Sequence, residues 1–412
     1  MPLLPRRDFS PLLPISLAQA TGLLCGLAGV KLSTWLVPPD DFGRYGVFLT
    51  FTPVGMWVVH AGIIQFVSRH WAAAPDRGAL LRAVAAAFWR KMPWLVAAAA
   101  ATTALMGGRA GWTVFPFVLV AAFFLSVGTV AQTALQAGRR HWNDLAVAAT
   151  GSLTRSFLPP LLFAAAGGSV FALYGGYCLH AFALASAGVL TLRLWWRPAG
   201  MGAAAVAPVY EGPMFVALSA TAWILSSLGR WIMAAFFGAG ATGYFVLAGN
   251  LAALVPTMLG AVIFQFFQPD FFADASEGGA PRKALAARVD RVAFGHAALS
   301  LAGLASLRLI APWLIGPLIS ARYADALPWL LPAGAFATAT MTASFYHSLL
   351  LAGRRERSCL PVDLSTAALL ATGCLASAAA GMEWFARWMM LAPIVPWLLT
   401  RTLARRHYFA PP

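Results

Sequence analysis

Apolar runs of about twenty residues recur along this chain, and clusters of arginine fall in every second gap between them. As a helix, a run of that length crosses about 30 Å of hydrocarbon with its backbone N–H and C=O groups bonded internally. Twelve runs are read, near residues 12–36, 45–68, 84–106, 113–136, 145–167, 170–192, 213–237, 243–267, 292–316, 326–352, 359–381 and 385–400. Arg90, Lys91, Arg308 and Arg387 interrupt the third, ninth and twelfth. Composition agrees, since 60% of the 412 residues are hydrophobic and 10% charged, against roughly 45–50% and 25% in a soluble domain. The expectation is an all-helical integral membrane protein with little chain left for an extramembrane domain.

A net charge of +15 would point to nucleic acid in a soluble protein. Here the distribution of charge explains it better, because cytoplasmic loops collect Lys and Arg. With the N-terminus inside, one side receives Arg6-Arg7, Arg69, Arg77, Arg82, Arg90-Lys91, Arg139-Arg140, Arg193, Arg197, Arg282-Lys283, Arg354-Arg355 and the C-terminal arginines. The other side receives Arg44, Arg109, Arg322 and Arg387. A missed span would invert this alternation from that point on, so both termini are expected in the cytoplasm. Arg6-Arg7 and Ala18-Gln19-Ala20 imitate a secretory leader. Pro11 and Pro14 interrupt its apolar run and the pattern continues to Val37, which favours an uncleaved first span. The four cysteines lie singly in apolar runs, with neither metal-ligand spacing nor a disulfide frame.

The chain carries a weak internal repeat. An offset of 200 residues aligns Gly43 with Gly243, Ile63 with Ile263, Gln65 with Gln265 and Phe66 with Phe266. Leu135-Gln136-Ala137-Gly138-Arg139-Arg140 recurs as Leu350-Leu351-Ala352-Gly353-Arg354-Arg355, each after the fourth run of its half. Any helix ending at the cytoplasm can finish in Gly-Arg-Arg, but both matches occupy equivalent places. Two parallel six-helix bundles are expected, 1–200 and 201–412.

Enzyme signatures are wanting. No lysine follows glycine as a phosphate-binding loop requires, and no His-Glu-x-x-His or Gly-x-Ser-x-Gly occurs. Gly238-Ala239-Gly240-Ala241-Thr242-Gly243 fits a dinucleotide pattern by spacing, but it lies between two membrane runs with no strand before it. A tight turn accounts for it.

Several segments resemble the polysaccharide flippase family of the multidrug/oligosaccharidyl-lipid/polysaccharide exporter superfamily. They are the turn Val37-Pro38-Pro39-Asp40-Asp41-Phe42-Gly43-Arg44-Tyr45, the turn Gly240-Ala241-Thr242-Gly243-Tyr244-Phe245, and the stretch Pro312 to Arg355 with Gly316, Tyr323, Ala324 and Ala326-Leu327-Pro328. The resemblance implies carriage of lipid-linked oligosaccharide across a bacterial inner membrane. Its partners would be the lipid-linked glycan, membrane lipids and other polysaccharide-assembly proteins, with no nucleic acid. Many relatives carry an acid-base pair in the seventh helix, where this chain has Gly229 before Arg230.

The informative residues are cations inside spans, which cost roughly 2.5–3.5 kcal/mol near a helix centre and so face a cavity, a partner or the interface. Lys31 lies twelve residues before Gly43, and Arg230 thirteen before Gly243. Their similar depth, one per half, suits an anionic pyrophosphate held between two cations, and snorkelling toward the outer interface is the competing account. Arg155, before Pro159-Pro160, lines a cavity or pairs with a helix end. Arg308 either joins this cationic set or snorkels. Asp363, the carboxylate clearly within a span, is the candidate for proton or Na⁺ coupling, and an interfacial role is its rival. His60, His180, His296 and His347 are taken as packing residues.

These observations give an expectation of a transporter, with no cofactor and no catalytic residue. It would move a polyprenyl-pyrophosphate glycan from the cytoplasmic to the periplasmic leaflet by alternating access. A multidrug antiporter would need acidic groups in the cleft. A membrane polymerase, ligase or acyltransferase would need a larger outer loop. Both remain as rival classes.

Overall fold

The computed structural model describes residues 12–60, 62–71, 74, 76–105, 108–195, 213–276, 282–352 and 356–409. The boundary expected near residue 200 and the repeated Gly353-Arg354-Arg355 lie outside them.

Helix α1 (Leu12–Leu36) runs unbroken through Ala18–Ala20. Pro38 and Pro39 then force a turn, and Pro39 opens α2 (Pro39–His60) as the first residue of a helix, where its missing N–H costs nothing. The second run is broken, and α3 (Ile63–His70) restarts at Gly62 with φ 82°. The remaining runs of the first half are α4 (Arg77–Leu105), α5 (Gly108–Ala137), α6 (His141–Ala165) and α7 (Val170–Trp195). The seventh and eighth runs form α8 (Pro213–Ser276), broken at Gly238, where φ 84° and ψ 176° reverse the chain. Gly229 lies against the ring of Phe245, so the two parts of α8 are antiparallel. Of the Gly-rich pattern at 238–243, Gly238 makes the expected turn, and Gly240 and Gly243 lie in the helix that follows it.

The chain continues as α9 (Arg282–Leu314), a 3₁₀ segment (Ala321–Trp329), α10 (Leu330–Ala352), α11 (Glu356–Ala380), α12 (Met382–Leu391) and α13 (Ile394–Phe409). The last two divide the twelfth run near Pro393. The described residues hold no strand beyond an isolated bridge, Ile315 to Ile319. Among the described residues six helices are long and apolar enough to cross a membrane by composition, the α8 stretch Ala217–Phe264 being long enough for two crossings.

Helices α1 to α7 pack mainly among themselves, as do α8 to α13, and the most extensive contact between the groups is α2 on α8. One apolar core runs through both groups at the α1–α2 turn, from Val37, Phe42 and Phe48 to Phe245, Tyr323 and Phe385. A second core, around Leu218, Val289, Phe345 and Tyr346, belongs to the C-terminal group alone.

The seam between the groups repeats at an offset of 200 residues. A Cβ on Gly43 would strike the carbonyl oxygen of Ala239, and one on Gly243 would strike that of Pro39. Gly46 faces Val246, and a Cβ on Gly240 would lie 3.1 Å from the Asp40 carboxylate. Equivalent positions thus meet about a pseudo-two-fold axis, and only glycine lets backbones come this close.

One placement needs correcting. Arg90 and Lys91, assigned above to the cytoplasmic side, lie midway along α4. The Lys91 side chain is 7% exposed, and Nζ lies 3.5 Å from the carbonyl of Val59, in the last turn of α2 before its break. That terminus carries partial negative charge, which an ammonium complements.

Candidate functional site

Below the seam, at mid-span, side chains from four helices converge on Arg155 and Arg230. Arg230, half-buried on the first part of α8, directs Nη1 to the carbonyl of Gly46 on α2 at 3.5 Å. Gly46 can offer that oxygen because, lacking a side chain, it lies close against the other lobe. Arg155, exposed on α6, is near enough for its charge to act on Arg230, and Tyr177 on α7 acts on Arg230 as well. Arg155 also acts on buried Tyr45 of α2 and on His180 of α7. Thr154 and His180 Nδ1 are bonded at 2.9 Å, which fixes the ring beside Arg155. Two guanidiniums whose charges act on one another describe a place for an anion of more than one negative charge.

Aromatic residues bound this site on the α8 side. The Trp223 and Trp231 indoles each donate at 2.6 Å to Thr50, one to its carbonyl and one to its hydroxyl. Phe51 stacks on Trp231 with ring centroids 5.8 Å apart. Thr50 is 2% exposed, so both bonds cross a dry part of the seam.

The other sequence candidates are placed differently. Gly22 and Gly29 face Ser152 and Ser156 of α6, and Gly26 faces Leu254 of α8. At 100° per residue, Lys31 points away from that face. It shares its own with Leu17, Leu24 and Trp35, which are 40%, 66% and 57% exposed. The cation whose charge acts on Arg230 is Arg155. Arg308 stands on an exposed stripe of α9 with Leu301, Ala305 and Pro312, near the helix end, where a long side chain reaches the interface. Asp363 of α11 is half-buried with Oδ2 3.8 Å from Nδ1 of His347 on α10, remote in the chain from the arginine pair. His296 is a packing residue as expected, held by Thr342 and the carbonyl of Pro256.

Sequence reasoning missed Tyr45, Tyr177, Trp223 and Trp231. Aromatic residues are common in spans, and only the fold singles these out. Among the described residues no group of His, Cys, Asp and Glu could hold a metal.

Solved transporters share this architecture. An inward-facing multidrug resistance MATE family transporter of the MOP superfamily aligns at 12% identity with TM-score 0.64, covering 97% of this chain and 98% of that one. An outward-facing MATE transporter gives 13%, 0.60, 96% and 94%. The lipid II flippase MurJ, in an inward closed conformation, gives 10%, 0.64, 98% and 88%. No curated protein matches in sequence. The family described as polysaccharide biosynthesis protein matches residues 34–328, which span the seam, both arginines and all but the last residue of the 3₁₀ segment. On that match the chain belongs to the polysaccharide biosynthesis protein family, built on the fold of the MOP-superfamily transporters.

Proposed function

We propose that this protein moves a lipid-linked oligosaccharide, joined to its polyprenyl carrier through a pyrophosphate, from the cytoplasmic to the periplasmic leaflet of a bacterial inner membrane. The observation that carries the reading is the convergence of Arg155 and Arg230 from the two halves, beside the seam about which the halves would rock. A pyrophosphate offers paired oxygens to two guanidinium forks, while its prenyl tail stays in lipid. A carrier of cationic drugs would need acids at this place, where the structure sets two arginines.

The Lys/Arg alternation puts both termini in the cytoplasm and the α1–α2 turn outside. In that orientation the lobes are joined on the outer side, and the cargo loads from the cytoplasm. An anion leaving a negative interior gains roughly 2.3 kcal/mol per charge per 100 mV, so export of a pyrophosphate runs with the membrane potential. The Asp363–His347 pair would supply any proton coupling.

The test is export in a deletion strain complemented with Arg155→Gln, Arg230→Gln variants. Lipid-linked oligosaccharide should be made and then accumulate on the cytoplasmic leaflet. Normal surface polysaccharide from a well-expressed double variant would sink the reading.

A further inference from the structure

The shortest guanidinium bonds across the seam are made to the end of α1, and Pro38-Pro39 explains why that acceptor is open. In a helix the carbonyl of residue i accepts from the N–H of residue i+4. For Thr34 and Trp35 the donors would be Pro38 and Pro39, which have none. The other lobe fills the Thr34 carbonyl instead. Arg322, from the 3₁₀ segment, donates to it through Nε at 2.9 Å and Nη2 at 2.8 Å.

Neighbouring bonds reinforce this one. The backbone N–H of Ser320 reaches Thr34 Oγ1 at 3.3 Å, and the Tyr323 hydroxyl donates to the carbonyl of Val37 at 2.9 Å. Tyr323 is fully buried, edge-on to Phe42 of one lobe and Tyr244 of the other. The negative end of the α1 dipole favours the guanidinium further. The close approaches at Gly43 and Gly243 are different in kind, because they are van der Waals contacts; the bonds of Trp223 and Trp231 to Thr50 cross the seam farther along α2.

We propose that Arg322, assisted by Tyr323, is the latch that holds the α1–α2 end of the two lobes together. Pro38 creates the need for it by leaving Thr34 without an internal donor. When the lobes part at this end, Arg322 must exchange the Thr34 carbonyl for water, and that exchange sets how often the end opens. The inference concerns lobe opening alone and stands whatever the cleft carries.

The test is a distance measurement on the full chain in lipid nanodiscs, with its four native cysteines replaced by alanine. Spin labels go at Ala166→Cys, beyond α6, and Glu383→Cys, at the start of α12; both sites are exposed at this end. Arg322→Gln should raise the longer-distance population several-fold, and Tyr323→Phe should do so less. Pro38→Ala returns an N–H to Thr34 and should shift the distribution the same way. It leaves both latch side chains in place, so it decides the matter if Arg322→Gln does not fold. Distances unchanged in a folded Arg322→Gln protein, or in Pro38→Ala where that variant alone folds, would overturn the latch.

Discussion

Gly43 and Gly243 each lie against the carbonyl of the residue four places before the other, Ala239 and Pro39 respectively. Neither carbonyl can move away without unwinding its own helix. Gly43→Ala and Gly243→Ala should therefore each force the lobes apart, with similar effects and little added by combining them. Overpacking of this kind costs roughly 1–3 kcal/mol. The measurements are thermal stability in detergent and the Ala166–Glu383 label distance. Independent, additive losses would show that the two contacts are not halves of one seam.

The same contacts make Gly43 and Gly243 poor positions for topology reporters. Exposed residues serve better: Arg44, Ala166 and Glu383 at the α1–α2 end, Arg139 and Arg406 at the other. Cysteines at the first three should react with an impermeant thiol reagent applied from outside, and cysteines at the last two should not. Opposite labelling of Arg44→Cys and Glu383→Cys would break the parallel arrangement of the halves.

Arg230→Lys should retain partial export, because it keeps the charge and loses the fork. Arg155→Gln should lower export by at least roughly tenfold, the factor that about 1.4 kcal/mol of lost phosphate binding gives. Arg308→Gln, on the exposed stripe of α9, should leave export near the parent level. Lys31→Gln should fall between them. The readout is surface polysaccharide in the complemented deletion strain, normalised to membrane abundance. A Lys31→Gln defect larger than that of Arg155→Gln would show that depth along α1, rather than the face of the helix, governs contact with the cargo.

Asp144 sits in the first turn of α6, just outside the span read at 145–167, buried with Oδ1 unpartnered and Oδ2 accepting from Gln136 at 3.1 Å. Burial raises its carboxyl above the ordinary range, and bonds from Gln136 and Gln132 offset this only in part. A raised folded-state value means the folded protein binds the proton more tightly than the unfolded chain. Stability therefore falls as pH rises through that window, then stays lower. Asp144→Asn removes the charge and keeps a bond to Gln136, so it should raise Tm at neutral pH by roughly 1–3 °C. The gain should shrink and then vanish as pH falls through the raised range, where the parent carboxyl takes up its proton. A gain that persisted below that range would have another cause.

The runs were legible in the sequence because span length is fixed by the bilayer and every span needs the same kind of residue. The break in α8 was legible too, since a reversal with positive φ at Gly238 demands glycine. What failed was azimuth. Lys31 and Arg230 stand at nearly equal depth, but depth says nothing about which way a side chain points. Two residues past Gly29, Lys31 faces away from α6. Lys91 was counted with the cytoplasmic cations although it lies inside the third run, because the broken end of α2 that receives its ammonium appears only once the helices are packed. Arg322 counted merely as an outer cation, although Pro38-Pro39 had already announced two carbonyls in want of donors.

The seam's repeat at 200 residues also bears on ancestry. Two copies of one six-helix chain, associating about an axis, would make this contact: position 43 of each on position 39 of the other, and each position 46 on its counterpart. Such a homodimer must change both faces of its cleft with every mutation. Joined in a single polypeptide, the halves are free to differ, so an arginine can arise on α6 without a twin on the opposite side. The glycines keep the older constraint, because a bulkier residue at 43 meets backbone at 239 and 243, which no side-chain change there can relieve.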